Sequence, residues 1–215
     1  MTCVFFDLDN TIVSKSTGVL YYKYLRRKGL ASRRDTFKVL YAFIRYRMNS
    51  LDIRALAEKE VSKVAGMTEE AMIKLCDRWF DEMVRHYISP RAREAVNDHR
   101  AKGHMLAILS AATPYTVNPV KNHLGIEHGI CTQLAVQDGR FTGELVKPYC
   151  YGKGKTYWAE RFIREKGLRF DDCYFYTDSY TDMPMLERVG MPRAVNPDRL
   201  LKAEARRRNW PILKF

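Results

Sequence analysis

Residues 3–11 read Cys3-Val4-Phe5-Phe6-Asp7-Leu8-Asp9-Asn10-Thr11, a four-residue apolar run that ends on two carboxylates at i and i+2. A short continuous apolar run of this kind suits a strand covered on both faces, as in a parallel sheet. Met105-Leu106-Ala107-Ile108-Leu109 and Cys173-Tyr174-Phe175-Tyr176 repeat the pattern, each followed at once by small polar or acidic residues. Arg193-Ala194-Val195-Asn196 is a fourth, shorter candidate.

Helical signals separate these runs. Ser89-Pro90 reads as an N-cap with proline at the first helical position, opening a helix that runs to Gly103. Lys155 to Lys166 carries Trp158, Phe162 and Ile163 at helical spacing and closes on Gly167. Asp182 to Val189 closes on Gly190, and Pro197 opens a last basic helix. Strand alternating with helix predicts an α/β fold with a doubly wound, Rossmann-like parallel sheet. Gln133 to Val146, alternating about Asp138-Gly139, predicts a β-hairpin.

Between about residues 14 and 86 no strand pattern occurs. The spacing predicts helices over 17–28, 32–48, 51–64 and 69–86, the last opened by Thr68 with Glu69 and Glu70 in its first turn. An all-helical insert directly after the first strand would sit over the crevice where open α/β sheets bind ligands, as a lid. The expected organisation is therefore a core of residues 1–13 plus 87–215 and a helical cap of residues 14–86.

The chain has 215 residues, 46% apolar and 12% aromatic, enough for one α/β domain and a smaller lobe. Cys3, Cys76, Cys131, Cys150 and Cys173 form no CxxC pair, which excludes a zinc spacing or a disulfide framework and predicts reduced thiols in a cytoplasm. The opening MTCVFFDLD carries no signal-peptide pattern, and no apolar stretch reaches the ~18 residues of a membrane span. The net charge is +12, which predicts anionic partners. Ten Lys or Arg (Lys23, Arg26, Arg27, Lys28, Arg33, Arg34, Lys38, Arg45, Arg47, Arg54) face two acids, Asp35 and Asp52, within residues 23–54. The plain reading is a solvated helical face; the functional one is peripheral contact with an anionic membrane, with nucleic acid the weaker alternative.

Four separated pieces carry chemistry. Asp7 and Asp9, just past a strand end, can share a crevice, one attacking while the other handles protons. Ser110, followed by Ala111 and Ala112, offers a hydroxyl and open backbone N–H groups for phosphoryl oxygens. Lys155, in Gly152-Lys153-Gly154-Lys155, opens a helix whose N-terminus favours an anion, and its helical placement favours it over Lys153. Asp178 and Asp182 add two carboxylates after the third strand. Four acids round one site repel unless a divalent cation binds them, and oxygen-only ligation points to Mg²⁺. Gly154-Lys155-Thr156 resembles the end of a nucleotide P-loop, but Tyr149 stands where the first glycine belongs.

With these pieces in this order the chain resembles the haloacid dehalogenase superfamily. Asp7-Leu8-Asp9-Asn10-Thr11 is similar to its DxDx[TV] first motif, Ser110 to its second, Lys155 to its third, and Asp178 with Asp182 to its fourth. The helical insert and the closing stretch from Tyr176 to Pro197 resemble the branch that includes phosphoserine phosphatase. The resemblance implies a Mg²⁺-dependent phosphomonoesterase; its substrate would be a small-molecule phosphate or, with the basic lid against a membrane, a lipid head-group phosphate. Asp7 would attack phosphorus and Asp9 would serve as acid, then base. Asp7, the Asp9 carbonyl and Asp178 would ligate the metal, with Asp182 behind through water, while Ser110, Ala111 and Lys155 would hold the phosphoryl group. Asp9 argues for a phosphatase rather than a dehalogenase. Ile12-Val13-Ser14-Lys15-Ser16-Thr17 lacks the acid that phosphoserine phosphatases present to the substrate amine, which argues against phosphoserine. The competing reading is a basic surface-binding protein on the same scaffold. Of the histidines, His99 and His104 read as surface residues near a helix end.

Overall fold

The computed structural model describes residues 1–32, 34, 37, 41 and 53–215, with 53–56 by backbone only. Most of the predicted helix 32–48, with Arg33, Lys38, Arg45 and Arg47 of the basic run, therefore lies outside the described residues.

Six parallel strands form the central sheet in the order β3-β2-β1-β6-β7-β8. They are β1 (Cys3–Phe6), β2 (Met105–Ser110), β3 (His128–Cys131), β6 (Cys173–Thr177), β7 (Met191–Val195) and β8 (Ile212–Leu213). Alternation along β1 and β2 divides the interior. Val4, Phe6, Leu106 and Ile108 face one apolar cluster; Cys3, Phe5, Ala107 and Leu109 face the other. Helices cover both faces, so the fold is doubly wound. Val96 of α4 (Pro90–Ala101) and Val117, Val120 and Leu124 of α5 (Pro114–Leu124) fill the first cluster. Ala159 and Ile163 of α6 (Lys153–Glu165), Met185 of α7 (Met183–Leu186) and Leu201 of α8 (Arg199–Arg207) fill the second. Phe5 and Phe6 are fully buried, each stabilising the fold by roughly 1.5–3 kcal/mol.

Three further helices follow β1: α1 (Thr17–Arg27), α2 (Ile53–Ser62) and α3 (Glu69–Glu82). Ser16 caps α1, and Thr68 caps α3 by accepting the Ala71 N–H. The chain leaves and returns on paired segments: Ser14 N donates to Tyr87 O at 2.8 Å and Ser89 N to Ile12 O at 2.9 Å. The predicted hairpin is β4 (Leu134–Gln137) and β5 (Arg140–Leu145). Its turn residues Asp138 and Gly139 have φ of 50° and 71°, the double positive φ that tight hairpins use. The hairpin pairs with the segment before α3, through Phe141 N to Met67 O at 3.0 Å and Gly66 N to Phe141 O at 2.8 Å.

Several expected boundaries differ. The helix expected over 69–86 breaks at Met83 (φ −139°, ψ −60°) into a 3₁₀ turn, Val84–Tyr87, which steers the chain back beside Ser14. The helix expected from Lys155 starts at Lys153, and the last helix starts at Arg199 because Asp198, not Pro197, caps it through the Leu201 N–H. His99 is not a surface residue. It is 6% exposed, its Nε2 lies 2.8 Å from Tyr176 Oη, and its ring packs on Phe6 and Tyr174. All five cysteines are buried free thiols.

Candidate active site

In this strand order β1 lies between β2 and β6, so the chain winds away from it in both directions. A crevice opens at the carboxyl ends of these strands, the place where such sheets bind ligands. Asp7 is the first residue beyond β1, and its N–H donates to Tyr176 O at 2.8 Å, tying it to β6. Ser110 ends β2, and its Oγ accepts the Ala112 N–H at 3.1 Å, which leaves the hydroxyl hydrogen for another acceptor. Asp178 follows β6 directly.

Lys155 enters from the first turn of α6. That turn presses so closely on the preceding loop that a Cβ on Gly154 would stand 1.7 Å from Tyr149 O. Lys155 is 3% exposed, whereas Lys153 points to solvent. Lys155 Nζ donates to Asp7 Oδ1 and to Asp182 Oδ2, each at 2.7 Å, and Thr177 Oγ1 donates to the same Asp182 oxygen at 2.6 Å. Among the described residues no hydrogen bond is made to Asp7 Oδ2.

Burial lifts the Asp7 carboxyl to about 7 against the downward pull of Lys155. Burial raises Asp9 as well, opposed by the Thr17 N–H that its Oδ1 accepts at 2.6 Å. Burial alone would lower Lys155, but Asp182 and Asp7 outweigh it and hold the ammonium well above its ordinary value.

Asp7, Asp9, Ser110, Ala111, Lys155 and Asp178 all line one cavity of about 400 Å³. Asp182 does not line it; it stands behind Lys155. The remaining walls come from the segment after β1, with Tyr21, Val64, Met72 and Trp79, and from Tyr115 and Leu134. Three supporting contacts carry no sequence signal of their own. Thr177 fixes Asp182, Asn196 Nδ2 donates to Asn10 O at 3.0 Å, and Thr17 holds Asp9. Asn10 itself has φ of 55°, a left-handed conformation that asparagine adopts more readily than most residues.

The donor chemistry suits a hard divalent cation. Asp7, Asp178 and the Asp9 backbone supply only oxygens, and Asp182 Oδ1 is buried with no partner. Among the described residues no three His, Cys, Asp or Glu side chains converge as a metal cluster. An ion such as Mg²⁺ takes one or two carboxylates and keeps several waters, so the carboxylates of Asp7 and Asp178 would suffice as side-chain donors.

A sequence profile of the haloacid dehalogenase-like hydrolases matches residues 4–187. The chain belongs to that family. It is 34% identical to a probable phosphatase of Mycobacterium tuberculosis, over 100% of this chain and 75% of that protein. A histidinol-phosphatase of Neisseria meningitidis is 32% identical over 98% of this chain and 97% of its own length. A solved structure of a Bordetella pertussis protein of unknown function superposes with a TM-score of 0.88 at 26% identity, covering 99% of this chain and 97% of that one. Substrate-bound phosphoserine phosphatase shares the fold, with a TM-score of 0.74 at 19% identity, covering 99% of this chain and 91% of that one. Within the family this chain is a phosphatase of the phosphoserine-phosphatase-like branch. Among its described residues no helix is long and apolar enough to cross a membrane.

Proposed function

We propose that this phosphatase hydrolyses a small phosphomonoester through an aspartyl-phosphate on Asp7. The observation that carries the reading is the asymmetry of the Asp7 carboxylate. Oδ1 is held by Lys155 at 2.7 Å, and Oδ2, without a hydrogen bond among the described residues, belongs to a residue lining the cavity. In the first step Asp7 Oδ2 forms a bond to phosphorus as the ester P–O bond breaks, and Asp9 gives its proton to the departing alkoxide. In the second, Asp9 takes a proton from water, whose oxygen attacks phosphorus and releases the Asp7 carboxylate with inorganic phosphate.

Thr17 N–H holds the Asp9 carboxyl in place for both transfers. Ser110 and the backbone N–H groups near Ala111 receive the phosphoryl oxygens beside Lys155. Mg²⁺, held by Asp7, Asp178 and the Asp9 carbonyl with Asp182 behind through water, would neutralise the charge of the phosphoryl group. Residues 14–86 serve as the lid on a core of 1–13 and 87–215, a division supported by the paired exit and return at Ser14 and Tyr87.

A lipid head group with peripheral membrane contact remains a reading of the basic run alone. Of its ten cations only Lys23, Arg26, Arg27, Lys28 and Arg34 have described side chains; these are exposed, and Lys28 pairs with Glu82 at 2.9 Å. The decisive experiment is hydrolysis of an aryl phosphate with Mg²⁺ by the wild type and by Asp7→Asn. Loss of several orders of magnitude in the folded variant is expected, and retention of more than about a tenth of the rate would overturn the assignment.

A further inference from the structure

Away from Asp7, Ser110 and Lys155, the cavity they share is largely apolar. Tyr21, Val64, Met72 and Trp79 line it from the segment after β1, and Leu134 and Leu145 from the hairpin. Trp79 and Tyr21 stand edge to face at 5.3 Å, and Tyr115 stands edge to face on the buried Phe141, also at 5.3 Å. Rings braced against one another in this way present an apolar surface made before any ligand arrives. At about 400 Å³ the cavity lies near the small end of the ~300–1,000 Å³ range of ligand sites, so it suits a compact molecule.

Several polar groups on these walls are engaged with one another. Tyr115 Oη donates to Glu69 Oε1 at 2.8 Å, and Tyr149 Oη donates to Glu58 Oε1, so both hydroxyl hydrogens are directed to carboxylates. Glu60, which also lines the cavity, accepts Lys63 Nζ at 2.6 Å and 2.7 Å and the Tyr22 hydroxyl. A methylene placed against the rings and aliphatic side chains gains by leaving water. A hydroxyl pressed on the same surface gives up its water for carbon.

We infer that the alcohol released is apolar: the substrate is the phosphate monoester of a compact alkyl or aryl alcohol, selected by burial of its carbon body. The inference rests on the phosphatase reading of the same cavity. The phosphoryl group meets Asp7 and Lys155, and the carbon body lies against Trp79, Met72 and Leu134. Recognition of this kind is non-directional and grows with the apolar area taken from water. It is therefore read as a dependence on chain length, about fourfold in affinity for each methylene fully buried.

The test measures kcat/KM with Mg²⁺ for methyl, butyl, hexyl and phenyl phosphate, with glucose 6-phosphate and phosphoserine beside them. The simple alkanols leave alike, so differences among their esters report the carbon body. From methyl to butyl phosphate kcat/KM should rise at least about tenfold, and hexyl phosphate should exceed glucose 6-phosphate by a similar factor. Val64→Thr/Leu134→Thr puts hydroxyls on two half-buried wall positions and should flatten the chain-length slope. Three outcomes overturn the inference: equal kcat/KM along the alkyl series, a preference for glucose 6-phosphate or phosphoserine over hexyl phosphate, or a slope that the double variant leaves unchanged. Calorimetry of methyl-, butyl- and hexylphosphonate, which do not turn over, measures the same slope as affinity. If no phosphate ester turns over, the phosphatase reading has failed and the phosphonates decide the inference alone. Affinity that rises with chain length then upholds it, and a flat series or no binding overturns it.

Discussion

The Asp9 carboxylate accepts the backbone N–H of Thr17 at 2.6 Å, so the first turn of α1 holds the acid proposed to move protons. Thr17 is the first helical residue, where proline is tolerated because the N–H has no partner inside the helix. Ser16 already has the extended geometry that a following proline requires (φ −66°, ψ 122°). Thr17→Pro should therefore keep the helix and remove the donor to Asp9. Steady-state kinetics should show kcat down about tenfold with KM little changed, consistent with loss of one hydrogen bond to a charged group worth ~1.5–3 kcal/mol. A variant with unaltered kcat and KM would show that Asp9 needs no such support.

Lys155 neutralises two carboxylates at once. Removing one partner of a buried ion pair costs about 3–5 kcal/mol because the remaining charge stays desolvated. In metal-free buffer Lys155→Ala should unfold at distinctly lower denaturant than wild type, and Mg²⁺ should recover part of the difference by binding the exposed carboxylates. Urea titrations with and without Mg²⁺ measure both. An unchanged metal-free midpoint would mean that Asp7 and Asp182 find other compensation.

Metal binding and proton transfer separate at Asp178 and Asp9. Asp178→Ala removes a proposed ligand, so the Mg²⁺ concentration for half-maximal activity should rise and saturation restore only part of the rate. Asp9→Asn should leave that concentration nearly unchanged, because the contact proposed for Asp9 with the metal is its backbone carbonyl, and should lower kcat at saturation. Metal titrations of both variants that gave the opposite pattern would exchange the two roles.

His99 gives a dependence of stability on pH. Burial, helped by neighbouring His104, lowers its pKa to about 4 from the ordinary value near 6.5. Between those values the unfolded chain binds more protons than the folded one, so this contribution is complete above pH 6.5 and is lost as pH falls towards 4. Its size is at most about 3 kcal/mol. In the metal-free protein Asp7, whose pKa is raised, adds a slope of opposite sign, and other carboxylates enter at lower pH. The expected observation is thus in the difference: wild type should lose stability relative to His99→Gln as pH drops from 7 to 4.5. Parallel curves for the two proteins would mean that His99 is protonated in the fold.

The residues proposed to carry the chemistry were legible in the sequence because parallel α/β sheets place their sites at strand ends. A short apolar run locates the strand, and the first polar residues after it locate the crevice; Asp7, Ser110 and Asp178 follow from that rule. The elements that stayed hidden lack the local pattern. Helix α5 carries Pro119 in its interior, β3 reads His128-Gly129-Ile130-Cys131, and β8 has only two residues at the sheet edge. Their stability comes from neighbours, through the packing of Val117 and Val120 and the ladders from β2 and β7.

What the sequence by itself determined was the order of strands and acids, since hydrophobic period and strand length are local properties of the chain. Only the tertiary structure decided that Lys155 rather than Lys153 enters the cavity, that Asp182 serves Lys155 from behind, and that His99 is buried against Tyr176. It also decided that Glu60, an ordinary acid on a helix by its neighbours in sequence, lines the same cavity as Asp7. The physical reason is that the azimuth and docking of a helix come from burying its apolar face against residues distant in the chain. A one-residue change in where a helix begins turns each side chain by about 100°.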